Sequence, residues 1–330
     1  MPKQIAVITG AGAGIGRATV RALAALGFDI ALLGRNEARL QDAAAELTGK
    51  NVRVATLQVD VADAAAVRSA ARHVEDELGP ITVWVNAAGL SAVGPILSLD
   101  DDTIRRVTEV TYLGSVYGTQ AALECMRARG TGTIVNLGLS HALRGQPFHS
   151  IVAGAHAAIA AFCDSLRPEI HHLNDRIDIT VVHLPSINTP RFGWQRNVTG
   201  HALLPVGRVY EPEVAAQAIM KAIFGHHRDV WVGIGHVVPG IVQSLAPALR
   251  DRFLGRRGIK AQYSSEPYEK QPDNFHGSLD GAFAAHGAFE GIPHQDKGPP
   301  PLMMTAPLRL GLITAAMALV ALLVRGRVRS

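Results

Sequence analysis

The sequence predicts an α/β fold in which helices cover both faces of a doubly wound parallel sheet. From residue 4 to about residue 233, short runs of β-branched residues alternate with segments of helical periodicity. The strand runs are apolar throughout, as in parallel strands buried on both faces, and 48% of all residues are hydrophobic. A chain of 330 residues accommodates one large α/β domain with an appendage. We therefore expect a single Rossmann-type domain over residues 1–258.

The first half of this domain is predicted to hold four pairs of strand and helix. Each strand is a short run rich in Val, Ile, Leu or Thr, and each helix is a longer segment in which apolar residues recur at helical spacing. In order, the elements are QIAVIT, helix 14–26, DIALL, helix 36–47, VRVATLQ, helix 63–78, ITVWVN and a long helix 101–129.

The second half continues the alternation with three strands and two helices. In order, the elements are GTIVNLG, a helix in the stretch HSIVAGAHAAIAAF at 149–162, IDITVVHL, a helix over 211–224 and DVWVGI. Sheets of this kind bind ligands at the carboxyl ends of their strands. We expect the functional site at that edge.

The composition changes after residue 258. Residues 259–305 are rich in Gly, Pro, Ser, His and charged residues without a sustained period, which predicts a flexible linker.

Residues 310–324 are apolar or small and are flanked by arginines. A helix there would cover about 22 Å, against about 30 Å for a membrane core. Two interpretations stay open: residues 306–330 associate with a membrane, or the helix docks on the domain or in an oligomer interface.

The charge and cysteine content narrow the choice of partners. The net charge is +4, with arginines clustered at the C-terminal end but no basic-aromatic patch, which favours a membrane surface over nucleic acid. Cys125 and Cys163 lie in predicted helices, outside any metal-ligand spacing, so we expect neither a disulfide nor a metal. Because the first strand begins near the N-terminus, we expect no signal peptide and a cytoplasmic protein, with membrane association only through the C-terminal helix.

The stretch TGAGAGIG, residues 9–16, predicts a dinucleotide site. It follows the first strand and opens the first helix, with glycines at 10, 14 and 16. Such glycines allow a tight turn, a close approach to a pyrophosphate and close packing of helix on strand, and the helix N-terminus supplies N–H donors. The strand, turn and helix context makes the motif specific.

The glycine spacing resembles that of the short-chain dehydrogenases/reductases, and the resemblance extends over residues 4–235. The pair Asp60-Val61 is similar to the family's adenine-contacting pair. The segment NAAG at 86–89 resembles Asn-Asn-Ala-Gly, with Ala in second place, and HLPSINTP at 183–190 resembles Pro-Gly-x-x-x-Thr, with Ser for Gly. The resemblance implies cofactor contacts at Thr9, Gly10, Gly14, Ile15, Gly16, Arg35, Asp60, Val61, Asn86, Ala88, Gly89, His156 and Thr189.

The end of the second strand bears on the choice of cofactor. An acidic residue there would bond the ribose hydroxyls of NAD, whereas a basic residue would pair with the 2′-phosphate of NADP. The segment LLGRNEARL has Arg35 at this point and no carboxylate before it. This favours NADP over NAD.

The catalytic residues of the resembled family are replaced. That family uses an Asn, a Ser, a Tyr and a Lys four residues after the Tyr to move the proton that accompanies hydride transfer. An ungapped alignment places Thr111, Leu139, Val152 and His156 at these four positions. Leu139 and Val152 have no proton to give, so we do not expect the family's standard catalysis.

Two functional hypotheses follow. The first is an NADP(H)-binding protein that descends from a carbonyl/alcohol oxidoreductase and is catalytically impaired or non-catalytic. The second is an active NADP-dependent enzyme that uses His156, Ser140 or water as proton donor, although Ser140 is one residue out of phase with the cleft. Phe192 and Trp194 predict an apolar lid and hence an apolar ligand. The small residues of the 149–162 helix, which lies in the dimer interface of the resembled family, predict a homo-oligomer.

Overall fold

The computed structural model describes residues 3–140, 145–173, 175–205, 207–233, 243, 245–279, 281, 284–289 and 303–305. Its strands are β1 (Ile5–Thr9), β2 (Asp29–Gly34), β3 (Val54–Gln58), β4 (Ile81–Asn86), β5 (Ala92–Val93), β6 (Thr131–Leu139), β7 (Arg176–Leu184), β8 (Ser186–Ile187), β9 (Arg196–Asn197), β10 (Val209–Tyr210), β11 (Asp229–Val232) and β12 (Met303–Thr305). Its α-helices are α1 (Gly14–Ala25), α2 (Glu37–Ala45), α3 (Ala64–Glu77), α4 (Asp101–Val107), α5 (Gly114–Arg127), α6 (Ser150–His172), α7 (Arg191–Trp194), α8 (Pro212–Gly225) and α9 (Pro247–Phe253).

The main sheet has eight strands in the order β12-β11-β7-β6-β4-β1-β2-β3. All neighbours pair in parallel except β12, which adds to β11 in the antiparallel sense. The order along the chain reverses between β1 and β4, which opens a crevice at the carboxyl ends of these two strands. The predicted doubly wound parallel sheet is confirmed.

Two hydrophobic cores cover the two faces of the sheet. One joins the sheet to α3, α5 and α6, and includes the fully buried Trp84. The other joins it to α1, α2 and α8. Asn36, Asp63 and Asp100 precede their helices and accept hydrogen bonds from the first free N–H groups, which explains where α2, α3 and α4 begin.

The long helix predicted over 101–129 is interrupted in the structure. A π-helical turn, Thr108–Leu113, separates α4 from α5. The helix predicted in the 149–162 stretch continues to His172 and contains Pro168. The π-helical turn and α6 lie on the same face of the sheet. Thr111 belongs to the π-helical turn.

Parts of the segment 259–305, whose composition predicts a linker, contact the domain. Met303 pairs with Val232 in the sheet, and Phe275 and Ala285 are fully buried. Residues 306–330 lie outside the described residues, and the division at 258 and 305 stays a prediction. Within the part of the chain that the structure describes, no helix combines the length and apolarity needed to cross a membrane.

Candidate cofactor and active site

A cleft opens at the carboxyl ends of β1, β4, β6 and β7. Most of the residues predicted from the sequence line it. They are Gly10, Gly14, Ile15, Gly16, Arg35, Asp60, Val61, Ala88, Gly89, Thr111, Leu139, His156 and Thr189. Thr9, Asn86 and Val152 are buried next to the cleft without lining it.

The glycine-rich turn brings three backbone segments together. Gly10 and Gly14 have φ angles of +68° and +55°, which favour glycine. A Cβ on Gly16 would lie 2.3 Å from the carbonyl oxygen of Gly10, so a side chain there would push α1 away from the turn. The Thr9 hydroxyl accepts hydrogen bonds from the N–H groups of Ala87 and Ala88, at 3.1 and 3.2 Å, and so joins this turn to the end of β4.

Asn86 fixes the next edge of the cleft. Its Oδ1 accepts a hydrogen bond from the Trp84 indole at 2.8 Å, and its Nδ2 donates to Asn136 Oδ1 at 2.9 Å. The same amide also bonds to Thr119 and to the Ser115 carbonyl. Asn86 therefore ties β4 to β6 and α5 and positions the neighbouring NAAG backbone.

The adenosine end of the cleft carries a carboxylate between arginines. Asp60 accepts hydrogen bonds from the Ala62 N–H, at 3.0 Å, and from Arg106. Burial alone would raise the pKa of Asp60, but these bonds and the arginine charges hold the pKa below its ordinary value. Arg106 was not predicted, because it reaches the site only through the fold of α4.

Arg35 is at the predicted position, but its donors are already used by the C-terminal part of the chain. Its guanidinium donates to the carbonyl oxygens of Asn274 and Phe275, at 2.5 and 3.0 Å. Burial lowers the pKa of Arg35, and the negative charge of Asp60 offsets part of this decrease.

We call residues 273–279 and 284–289 the strap. Asn274 and Ser278 of the strap line the cleft.

At the end of the cleft where the resembled family keeps its proton-transfer residues, two of the four replaced positions are apolar. Leu139 lines the cleft and also a second, adjoining cavity, and Val152, only 1% exposed, lines the second cavity. The Thr111 hydroxyl bonds to the backbone of Leu90, accepting from its N–H at 3.1 Å. Thr111 therefore links the π-helical turn to the loop that follows β4.

His156 is the one titratable group among the four replaced positions. Its Nδ1 lies 3.2 Å from the Leu137 carbonyl oxygen, which can only accept a hydrogen bond. Nδ1 is thus the protonated nitrogen, and Nε2 carries a lone pair. Burial, aided by the charge of Arg191, lowers the pKa of His156 to about 4. At neutral pH His156 is uncharged, so its Nε2 can accept a hydrogen bond but cannot donate one.

Ser140 points away from both cavities. It is 3% exposed, its N–H donates to the Leu184 carbonyl oxygen at 2.9 Å, and neither cavity has it in its lining. The one-residue offset from Leu139 places its side chain on the opposite face of β6.

The second cavity is mostly apolar. Phe192 borders it, whereas Trp194 borders the cleft. Its apolar walls are Leu139, Val152, Ala153, Pro185, Phe192, Leu203, Leu204 and Pro205, and its polar residues are Gln146, His149, Ser186, Arg191, Gln195 and Gln262.

The sheet order, the glycine-rich turn and the cleft at the switch point define a nucleotide-binding α/β protein of the Rossmann type. Residues 4–197 match the family model described as short chain dehydrogenase. The chain belongs to this family of NAD(P)-binding oxidoreductases.

Several relatives resemble the chain over most of its length. An uncharacterized oxidoreductase, YxnA, from Bacillus subtilis is 29% identical over 271 residues, which cover 80% of this chain and 75% of the relative. Dehydrogenase/reductase SDR family member 7B from Danio rerio is 30% identical, covering 78% of this chain and 86% of the relative.

Solved structures show the same fold. A short-chain dehydrogenase from Streptomyces avermitilis superposes with a TM-score of 0.64 at 21% identity, covering 78% of this chain and 97% of the other. An alcohol dehydrogenase from Thermococcus sibiricus, complexed with 5-hydroxy-NADP, gives a TM-score of 0.57 at 26% identity, covering 66% of this chain and 88% of the other.

The contact between Gly16 and Gly10 generates a prediction about cofactor binding. We expect Gly16→Ala to weaken NADPH binding by at least about tenfold, because the added Cβ displaces the helix N–H groups that face the phosphates. Fluorescence titration measures the affinity. Gly255→Ala is the control, since a Cβ there meets no atom within 4 Å. Equal affinities for the two variants would contradict the prediction.

Proposed function

We propose that this protein binds NADP(H) in the cleft and lacks an efficient proton relay, so that it is a non-catalytic or catalytically impaired short-chain dehydrogenase. The observation that supports this proposal is that two apolar residues, Leu139 and Val152, occupy the positions where the resembled family has its Ser and Tyr. The third position, His156, has its single ring proton committed to a backbone carbonyl. The cofactor supplies hydride chemistry, but the protein must provide the proton.

Arg35 supports NADP as the cofactor. Its guanidinium lies at the adenosine end of the cleft, and the carboxylate that would select NAD is missing before it. The Thermococcus alcohol dehydrogenase was solved with 5-hydroxy-NADP. An actinorhodin polyketide ketoreductase of the same fold was solved with NADPH.

An active oxidoreductase on an apolar carbonyl or alcohol is the second candidate. It is favoured by the apolar cavity that meets the cleft at Leu139. Water, His156 or Ser140 would then supply the proton. Of these, water needs no rearrangement, since Ser140 faces away from the cleft and the His156 proton is held by Leu137.

We further propose that α6 forms a homo-oligomer interface, because its exposed Gly154 and the alanines around it allow close packing. Light scattering of the purified protein tests this proposal.

Association of residues 306–330 with a membrane also remains a proposal. Comparing the membrane fractionation of the full chain with that of a chain ending at residue 305 tests it.

Cofactor choice is tested by titration with NADPH and NADH. We expect NADPH to bind at least about tenfold more tightly, and Arg35→Ala to lower NADPH affinity more than NADH affinity, because only NADPH has a 2′-phosphate to pair with the guanidinium. Arg105→Ala is the control, as Arg105 is an exposed arginine outside the cleft. Failure of both nucleotides to bind would refute the proposed function.

Restoring the proton relay tests the catalytic part of the proposal. We expect Leu139→Ser, Val152→Tyr and His156→Lys together to reduce apolar ketones at least about 100-fold faster than the natural chain, because positioned general acids contribute this much. The matched control carries Val152→Phe instead of Val152→Tyr and so lacks only the hydroxyl. NADPH binding confirms that both triple variants are folded. Turnover by the natural chain that disappears in His156→Ala would support the active enzyme instead.

A further inference from the structure

Arg191 lies at the junction of the two cavities. It is the first residue of α7, and its side chain lines both the cofactor cleft and the second cavity. It was not among the residues expected from the sequence. Its position next to Leu139 and His156 places a cation where the resembled family keeps its proton-transfer groups.

The charge of Arg191 has no counterion among the residues that the structure describes. Among the described residues, no carboxylate lies within ion-pair distance of its guanidinium, which rests 5.2 Å from the centre of the Phe192 ring. Burial lowers the pKa of Arg191, which reflects the cost of keeping its charge away from water. The residue is half-buried, and charges removed from water are ordinarily paired, so a ligand is the natural source of the missing anion.

The lining of the second cavity indicates the chemistry of the rest of the ligand. Leucine, valine, alanine, proline and phenylalanine account for eight of its fourteen described lining residues, and among these fourteen Arg191 is the one arginine or lysine. The pyrophosphate of a dinucleotide has its own donors at the N-terminus of α1, at the glycine-rich turn. A ligand with one oxyanion and an apolar body therefore fits the second cavity.

We propose that the second cavity binds an apolar carboxylic acid whose carboxylate pairs with Arg191. This rests on the proposed function, in which the neighbouring cleft holds the dinucleotide. The planar guanidinium can donate two parallel hydrogen bonds to a carboxylate, which an alcohol cannot accept in the same way. The charge, not the chain length, would then select the ligand.

Calorimetric titration of the NADPH-loaded full chain with octanoate and with octanol tests this proposal. We expect octanoate to bind at least about tenfold more tightly than octanol. Arg191→Gln should lower the octanoate affinity to that of octanol, and Arg191→Lys should keep part of the difference. Arg105→Gln is the control for loss of an arginine charge.

Three results would overturn the assignment of Arg191 to the acid. They are equal binding of octanoate and octanol, no binding of octanoate to a chain that does bind NADPH, and an Arg191→Gln variant that loses NADPH instead of octanoate. The last result would assign Arg191 to a cofactor phosphate. A chain that binds no NADPH contradicts the proposed function separately, and titrating octanoate into the unloaded chain keeps the two tests apart.

An independent set of contacts concerns the strap, which crosses the cofactor cleft. At the adenosine end, Arg35 and Arg106 both donate to the Phe275 carbonyl oxygen, at 3.0 and 3.1 Å. The Phe275 ring is fully buried, and the Arg196 guanidinium lies 4.2 Å from its centre. Arg196 also pairs with Asp273 at 2.8 Å.

The strap also reaches the phosphate end of the cleft. The N–H of Gly14 donates to the Ala284 carbonyl oxygen at 3.2 Å. Beyond it, Ala285 is fully buried, and a Cβ on Gly287 would lie 2.4 Å from the Thr189 carbonyl oxygen. The strap carbonyls thus accept from Arg35 and Gly14, two of the donors expected to hold the dinucleotide.

We infer that the strap competes with the dinucleotide, so that the cofactor binds fully only when the strap leaves the cleft. A strap that holds the same donors lowers the apparent affinity by the fraction of molecules in which the cleft is open. The strap is consequently an autoinhibitory segment supplied by the chain itself.

Hydrogen–deuterium exchange of the full chain with and without NADPH tests the competition. We expect the backbone amides of residues 273–279 and 284–289 to exchange at least about fivefold faster with NADPH bound, because displacement removes their protection. Phe275→Ala should raise NADPH affinity by releasing the strap, and Asp273→Ala, which removes the Arg196 pair without emptying a core site, should act in the same direction. Tyr268→Phe lies outside the strap and is the control. Slower exchange with NADPH, or weaker NADPH binding by Asp273→Ala, would instead make the strap part of the cofactor site.

Discussion

The site depends on a backbone contact that glycine alone permits, between the turn after β1 and the first turn of α1. Gly16 meets the Gly10 carbonyl, and a Cβ on Gly10 would lie 2.9 Å from the Ala88 Cα. These two approaches place α1 against β1 and β4 at once and thereby fix the direction of the helix N–H groups. The Thr9 hydroxyl holds the arrangement through the Ala87 and Ala88 amides.

The polar residues that remain around the cleft are mostly those that hold the scaffold together. Asn86, Thr9 and Thr111 each join two or more segments through hydrogen bonds. Losing any of them would leave buried donors or acceptors without partners, at a cost of about 1–3 kcal/mol each. The side chains of Leu139 and Val152 form no such hydrogen bonds. They can be apolar without harm to the fold, so the architecture is compatible with the proposed loss of the proton relay.

The sequence predicted the sheet and the glycine-rich turn because both depend on local patterns: apolar runs, and glycines at fixed spacing. It did not indicate Arg106 or Arg191, since an arginine on a helix looks the same whether it faces solvent or a cleft. The strap was hidden for a different reason. It contacts Arg35, Arg39 and Gly14 through main-chain carbonyls, so its side-chain composition carries little sign of the interaction. Phe275 and Ala285 are its fully buried apolar residues within a largely polar segment.

The distribution of charge favours binding over turnover. In the resembled family a Lys on the helix equivalent to α6 supplies a cation next to a tyrosine that transfers the proton. Here α6 supplies an uncharged His156, and the cation comes from Arg191 on α7. A guanidinium does not release its proton at any ordinary pH, so it can hold an anion but cannot relay a proton. Under the proposed function, electrostatic attraction and proton transfer, which are coupled in the resembled arrangement, are separated in this one, and only the attraction is retained.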